Sequence, residues 1–122
     1  MGLTFVRATV AGSKGRKRSV RFLVDSGASY TVLSHNVWKA LGLRPKRNLT
    51  FTLADGTELP RKVSECLIHY NGLEAHTPVI LGEPGDQSLL GAVTLEILGL
   101  VLNPFTRTLQ PMKLMLAPIR ER

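Results

Sequence analysis

The chain of 122 residues has three aspartates, Asp25, Asp55 and Asp86, as its first candidates for acid–base chemistry. Asp55 and Asp86 lie among turn-forming residues, where an aspartate ordinarily caps the turn with its own side chain. Asp25 differs because it directly follows the apolar run of a predicted buried strand and precedes Ser26-Gly27-Ala28. A carboxylate at the end of an interior strand is costly unless it is paired or performs chemistry. The residues alone therefore make Asp25 the first candidate for a catalytic acid, with an ordinary Asp-Ser-Gly turn as the alternative.

The elements that must position Asp25 are short strands joined by turns. Two β-branched and aromatic runs, 4–10 and 19–24, flank Gly12-Ser13-Lys14-Gly15 and predict a hairpin whose second strand ends at Asp25. Pro78 predicts that its own strand lies at an edge or an irregularity. The remaining strands are predicted over 30–33, 49–53, 59–63, 64–70, 73–81, 100–102 and 108–116, with turns at Asp55-Gly56, Asn71-Gly72 and Asn103-Pro104.

Two short helices complete the predicted elements. Ser34 is positioned to cap a helix over 35–41 that Gly42 ends, and the apolar spacing of 92–98 predicts a second helix that ends at Gly99. No linker, low-complexity segment or solenoid period interrupts the chain. The sequence therefore predicts a mostly β fold, a barrel or a sandwich, in a single domain over 1–122.

Composition excludes several classes of protein. The hydrophobic fraction of 43% and the charged fraction of 20% are typical of a globular domain and not of a disordered chain. One cysteine, Cys66, and three scattered histidines give neither a disulfide scaffold nor the spacing of a metal site, so we expect no metal and no cofactor. No signal-like or membrane-spanning stretch is present, and a cytoplasmic location is predicted.

The formal net charge of +7 raises the question of nucleic-acid binding. No aromatic residues interleave with the basic ones, and no groove-reading helix accompanies them. We therefore interpret the basic residues as solvated surface and do not predict a nucleic-acid partner. They form two clusters, Lys14, Arg16, Lys17, Arg18 and Arg21 in the first and Arg44, Lys46 and Arg47 in the second.

The segment Val24-Asp25-Ser26-Gly27-Ala28-Ser29 resembles the active-site signature of the retropepsin-like aspartic proteases, in which hydrophobic residues precede Asp, Thr or Ser, Gly and Ala. The second hallmark of that family, two hydrophobic residues and a glycine that open a short helix, is similar to Leu89-Leu90-Gly91. Ala54-Asp55-Gly56-Thr57 falls where the family has its flap hairpin. The resemblance covers the chain from Thr4 to about Asn103.

The resemblance implies a closed β-barrel-like acid protease fold with one or two short helices. It also implies an aspartic endopeptidase that works as a homodimer on peptide or protein substrates, without metal or cofactor. Each subunit supplies one acid, so Asp25 of two subunits would share a proton and activate one water. The alternative is a non-catalytic member of the same fold, a dimerisation or peptide-binding module.

The resemblance also assigns roles to neighbouring residues. Ser26 and Gly27 would support the catalytic loop, with the Ser26 hydroxyl bonding across the dimer, while Leu89 and Leu90 would pack behind that loop. An extended peptide would bind beneath the flap through main-chain hydrogen bonds. The residues expected to contact substrate are Gly27, Ala28, Ser29, Ala54, Asp55, Gly56 and Thr57.

The sequence departs from the retroviral pattern in two places. Ala92 and Val93 stand where retroviral members usually have an arginine that helps to lock the dimer. The chain also continues beyond Asn103, where retroviral subunits end. We therefore expect a member of cellular or bacterial type in which 104–122 forms a C-terminal strand or hairpin extension.

Overall fold

The structure, a computed structural model, describes residues 2–113. Within this part the chain forms nine strands and two α-helices. The strands are β1 (Phe5–Ala11), β2 (Lys17–Val24), β3 (Thr31–Leu33), β4 (Arg47–Thr52), β5 (Glu58–Tyr70), β6 (Leu73–Leu81), β7 (Leu89–Leu90), β8 (Leu100–Asn103) and β9 (Thr108–Pro111). The helices are α1 (His35–Leu41) and α2 (Ala92–Leu98).

Seven strands form one mixed sheet in the order β1-β2-β7-β3-β6-β5-β4. Strand β1 also pairs antiparallel with β5, with Thr9 opposite His69, so the sheet closes on itself and β4 extends from β5 outside the ring. Closure satisfies the strand edges that an open sheet would leave unpaired. The prediction of a mostly β, barrel-like fold is confirmed.

Strand β2 connects the hydrophobic core to the candidate loop. Val20, Phe22 and Val24 alternate with more exposed residues and are buried against aliphatic side chains of β3, β5, β6 and α2. Phe22 is fully buried, and burial of a side chain of this size contributes about 1.5–3 kcal/mol. The loop at Asp25 is thus joined to a strand that packing holds in place.

The predicted turn chemistry is present at the hairpins and at the helix ends. Gly56 and Gly72 have positive φ angles of 87° and 84° in the β4–β5 and β5–β6 turns, a conformation that glycine adopts without steric cost. Gly42 and Gly99 end the two helices in the left-handed conformation and donate their N–H groups to carbonyls of the last turn.

Three local predictions are corrected. The runs 59–63 and 64–70 are one continuous strand, β5, because β4 pairs with its first half and β6 with its second. Strand β6 lies inside the sheet between β5 and β3. Pro78 is tolerated there because pairing with β3 begins only at Val79. Ser34 precedes α1 but makes no side-chain capping bond.

The C-terminal part of the described chain is a separate two-stranded sheet. Strands β8 and β9 pair antiparallel, with Asn103 opposite Thr108. Of the strand predicted over 108–116, residues 108–111 are observed, 112 and 113 are not in a strand, and 114–116 lie outside the described residues, as does 114–122 of the predicted extension. Within residues 2–113 no helix is long and apolar enough to cross a membrane.

Candidate functional site

The carboxylate of Asp25 is held by its own loop. The backbone N–H of Asp25 donates to the Leu90 carbonyl on β7 (3.0 Å), and the backbone carbonyl of Asp25 accepts from Ala28 N (3.1 Å). The side-chain oxygen Oδ1 accepts from Gly27 N at 3.0 Å, and within residues 2–113 no other group bonds to this carboxylate. Asp25 is half-buried, whereas Ser26 and Gly27 are exposed. One carboxylate oxygen is thus fixed and the other is available.

Helix α2 holds the far side of the loop. The first N–H groups of a helix have no partners within the helix. Here Ala92 N donates to the Ala28 carbonyl (2.8 Å) and Val93 N donates to the Ser29 carbonyl (2.9 Å). The two motifs that the sequence analysis singled out are therefore joined by main-chain hydrogen bonds.

Gly91 must be a glycine for this contact to form. A Cβ at this position would lie 2.5 Å from the Tyr30 carbonyl carbon and 2.6 Å from its oxygen. Both atoms belong to the backbone and cannot move aside alone. The glycine of the second motif therefore permits close approach between the Asp25 loop and α2.

Beneath the loop lies a buried threonine network that sequence reasoning missed. The Thr94 hydroxyl of α2 lies 2.5 Å from the Thr31 hydroxyl of β3 and 2.8 Å from the Thr77 hydroxyl of β6. Thr31 Oγ1 also accepts from Gly91 N at 3.0 Å. All three threonines are at most 1% exposed. The network ties the second motif to two strands, and its only sequence signal is a polar residue on the buried face of α2.

The predicted flap is the exposed tip of the β4–β5 hairpin, Ala54 to Thr57. Thr57 N donates to Asp55 Oδ1 at 2.9 Å, and hydrogen bonds from the Thr57 side chain and backbone lower the pKa of Asp55. Asp55 thus serves its own turn, as its sequence context predicted. The exposed tip has few packed neighbours to restrict its movement.

An aromatic contact joins the predicted flap hairpin to the Asp25 loop. The rings of Phe51 on β4 and Tyr30 meet edge to face, with their centroids 5.9 Å apart. Such pairs contribute about 0.5–1.5 kcal/mol beyond the area that they bury. Sequence reasoning did not identify this pair, because the two residues lie on elements that meet only in the folded chain.

Other potentially reactive side chains take no part in this site. Asp86 Oδ2 accepts from Glu83 N at 2.8 Å and closes its own loop. Cys66 is 4% exposed in the core, and burial raises the pKa of its thiol to about 12. Within the described chain no cluster of three or more His, Cys, Asp or Glu side chains is placed to hold a metal ion.

Comparison with known proteins agrees with this geometry. The family described as "gag-polyprotein putative aspartyl protease" matches residues 10–96, which include both motifs and the flap hairpin. Among solved structures, the chain is similar to "EIAV protease complexed with the inhibitor HBY-793", with a TM-score of 0.62 and 17% identity over 94% of each chain. At that identity the likeness shows the fold. No curated protein sequence matches the chain.

Proposed function

This chain belongs to the gag-polyprotein aspartyl protease family, and on that premise we propose that it is an aspartic endopeptidase whose catalytic acids are Asp25 of two subunits. The observation that carries the proposal is the way in which the loop holds the Asp25 carboxylate. Its carboxylate follows a buried strand, is bonded through one oxygen only, and lies in a loop anchored to α2. Such anchoring preorganises an acid for catalysis.

The dimer follows from the shortage of aspartates within one chain. Asp55 lies at the exposed tip of the β4–β5 hairpin and Asp86 lies in the loop between β6 and β7, and within residues 2–113 neither side chain is hydrogen-bonded to the Asp25 loop, so neither is placed to supply the second acid. A second copy of Asp25 across a two-fold axis would supply it. Two carboxylates that share one proton can act together, one as the general base toward a water and the other as the general acid toward the peptide.

Exposed apolar side chains support a surface for the second subunit. Leu3 and Phe105 are 67% and 88% exposed, and Ile97 and Val101 are each 45% exposed. The N-terminal segment lies against the β8–β9 turn, because a Cβ at Gly2 would lie 2.5 Å from the guanidinium carbon of Arg107. Large apolar side chains in neighbouring segments are typical of a protein interface. We therefore include the C-terminal hairpin in the proposed dimer contact.

The remaining roles extend the proposal to substrate. Ser26 would donate its hydroxyl across the dimer, and Gly27, Ala28 and Ser29 would face the peptide main chain. The flap tip, Ala54 to Thr57, would close over the peptide and exclude water. The exposure of these four residues leaves the tip free to move, while Phe51 keeps the base of the hairpin in contact with Tyr30 of the Asp25 loop. The cytoplasmic location remains a sequence-based prediction.

Asp25→Asn tests the catalytic role. We expect this variant to fold and dimerise but to lose cleavage of a peptide library, and we expect pepstatin to inhibit the parent chain. Glu74→Gln is the matched control, because it removes one negative charge at the turn end of β6, opposite His69 of β5; His69 in turn pairs with Thr9 of β1, away from the end of β2 that leads to Asp25. Equal cleavage by Asp25→Asn and the parent would exclude Asp25 as the catalytic acid and with it the proposed aspartic endopeptidase. An inactive parent chain that still dimerises would favour the non-catalytic module.

Assembly has its own test. Sedimentation of the parent chain should show a dimer at assay concentration, and activity per chain should fall on dilution as the shared site dissociates. A monomer that cleaves with undiminished activity at every dilution would contradict the shared site.

A further inference from the structure

A second concave site lies at the opposite end of β2 from Asp25. It is a cavity of about 840 Å³ between the tip of the β1–β2 hairpin, α1 with the connector that follows it, and β5. Strand β2 is 8 residues long, so its two ends are roughly 25 Å apart. The cavity is therefore separate from the proposed catalytic site.

The cavity is strongly basic. Five cations line it and only one carboxylate does, that of Glu65. Lys46 Nζ lies 2.9 Å from Glu65 Oε1, and no carboxylate within residues 2–113 comes within 4.0 Å of the other four cations. Like charges around one concavity repel each other and attract anions. The five cations are Lys14, Arg16, Lys39, Arg44 and Lys46.

The fold brings these charges together from two separate parts of the sequence. Lys14 and Arg16 lie at the β1–β2 turn, and Lys39 and Arg44 lie on α1 and the connector after it. A Cβ at Gly42 would lie 2.9 Å from Arg16 Nη1, so the guanidinium lies against the C-terminus of α1. The cavity therefore brings together part of each of the two basic clusters that were predicted to be solvated surface.

A buried hydroxyl also lines the cavity. Ser64 on β5 is 4% exposed, and its Oγ has no hydrogen-bond partner within the described residues. A buried hydroxyl without a partner is uncommon in a folded protein and costs stability. A ligand oxygen in the cavity would accept a hydrogen bond from this hydroxyl.

We propose that this cavity binds a compact oligophosphate anion, such as a triphosphate chain. Lysine and arginine are the usual partners of phosphate oxygens, and four cations without a carboxylate partner match the charge of such a chain. The cavity volume lies within the range of small-molecule sites.

The aromatic environment favours a compact anion over a nucleic-acid strand. Trp38, the sole tryptophan, lines the cavity but is already engaged. Its Nε1 donates to the Gly82 carbonyl at 2.8 Å, Lys39 Nζ lies 4.9 Å from its ring centroid, and the His35 and Trp38 rings are nearly perpendicular with centroids 5.3 Å apart. Lys39 therefore covers one face of this ring and the Nε1 bond fixes its orientation, which leaves less of it for the base stacking on which single-stranded nucleic-acid sites depend.

Calorimetric titration with inorganic tripolyphosphate, at fixed ionic strength, tests the proposal. We expect saturable one-to-one binding that quenches or enhances Trp38 fluorescence. The double variant Lys14→Gln/Arg44→Gln should weaken the affinity at least about tenfold. The control Lys17→Gln/Arg18→Gln removes the same charge from exposed positions of β2 that do not line the cavity. It should bind as the parent does.

Several outcomes would overturn the proposal. They are absence of binding at millimolar tripolyphosphate, equal losses in the two double variants, and tighter cavity-dependent binding of a single-stranded oligonucleotide than of tripolyphosphate. Thermal unfolding of each variant checks that it is folded. Ser64→Ala provides a second arm that leaves every charge in place, and unchanged affinity in it would contradict the role of the hydroxyl. Asp25→Asn should keep full affinity, so failure here and failure of the protease proposal are distinguishable.

Discussion

Thr94→Val is the substitution that tests most directly how the catalytic loop is supported. Valine has nearly the shape of threonine, so the change removes a hydroxyl without opening a cavity. The Thr31 and Thr77 hydroxyls, 2.5 and 2.8 Å from Thr94 Oγ1, then lose their shared partner in a fully buried place. Thr31 still accepts from Gly91 N, but its own proton has no remaining acceptor among the described residues.

The expected loss of unfolding free energy follows from these contacts. The Thr31 proton is left without an acceptor, which costs about 1–3 kcal/mol. Thr77 loses its 2.8 Å bond to Thr94, worth about 0.5–1.5 kcal/mol, but keeps a 3.4 Å bond to the Pro78 carbonyl, so Thr94→Val should cost about 2–4 kcal/mol in total. Thr94→Ser is the matched control, because it keeps both hydrogen bonds and deletes one methyl group. That deletion should cost only about 1 kcal/mol.

Denaturant unfolding at one fixed protein concentration measures both variants, since dimerisation makes stability depend on concentration. Thr94→Val should be less stable than Thr94→Ser by more than the error of the extrapolation. Cleavage activity should fall in the same order at a temperature where both variants are folded. If Thr94→Val is as stable as Thr94→Ser or more stable, the network does not support the loop and the reasoning is refuted.

Three other predictions concern the surroundings of Asp25 and the core. Gly91→Ala should destabilise the fold and abolish cleavage, because its Cβ would lie 2.5 Å from a Tyr30 backbone atom, and a crystal structure with an unmoved loop would contradict this. Phe51→Leu should loosen the flap by about 0.5–1.5 kcal/mol, seen as faster amide exchange over the β4–β5 hairpin while β1 and β2 are unchanged. The Cys66 thiol should resist alkylation at pH 8 and react at once in denaturant, because burial raises its pKa to about 12, and rapid native reaction would be inconsistent with that burial.

Local sequence chemistry predicted much of this fold. Asp55-Gly56 and Asn71-Gly72 placed two hairpins, and Gly42 and Gly99 placed two helix ends, since each position needs a backbone conformation that few residues adopt. The Asp25 loop was predicted for a similar reason, because small residues after an apolar strand force a turn there. These features depend only on residues that are neighbours in the chain.

The features that sequence did not predict depend on distant pairs. The β1–β5 pairing that closes the sheet joins Thr9 to His69, and nothing near either residue indicates the other. Strand β5 continues through Pro60 because β4 pairs alongside it there, although proline normally argues against a strand interior. The Thr94 network could not be predicted for the same reason. A threonine in a short helix indicates a buried hydrogen-bond network only when its partners on two strands are known.

The basic clusters show that a candidate binding site, like a strand pairing, cannot be predicted when it is formed by residues that are distant in the chain. Each cluster alone was interpreted as a solvated surface, and neither reaches across the cavity by itself. Only the fold places Arg16 against the end of α1 and brings it and Arg44 to the wall of one cavity. Charge that is unremarkable along the chain becomes a candidate site when tertiary structure concentrates it.

Mixing the parent chain with Asp25→Asn tests the shared catalytic site most directly. The two chains are refolded together in equal amounts so that subunits pair at random, and cleavage is measured per total chain. If each active site needs both copies of Asp25, only parent–parent dimers cleave, and activity should fall to about one quarter of the parent value. Mixing with Glu74→Gln should leave activity unchanged. A fall to only about one half would mean that each chain cleaves with its own Asp25 alone, and would contradict the shared site.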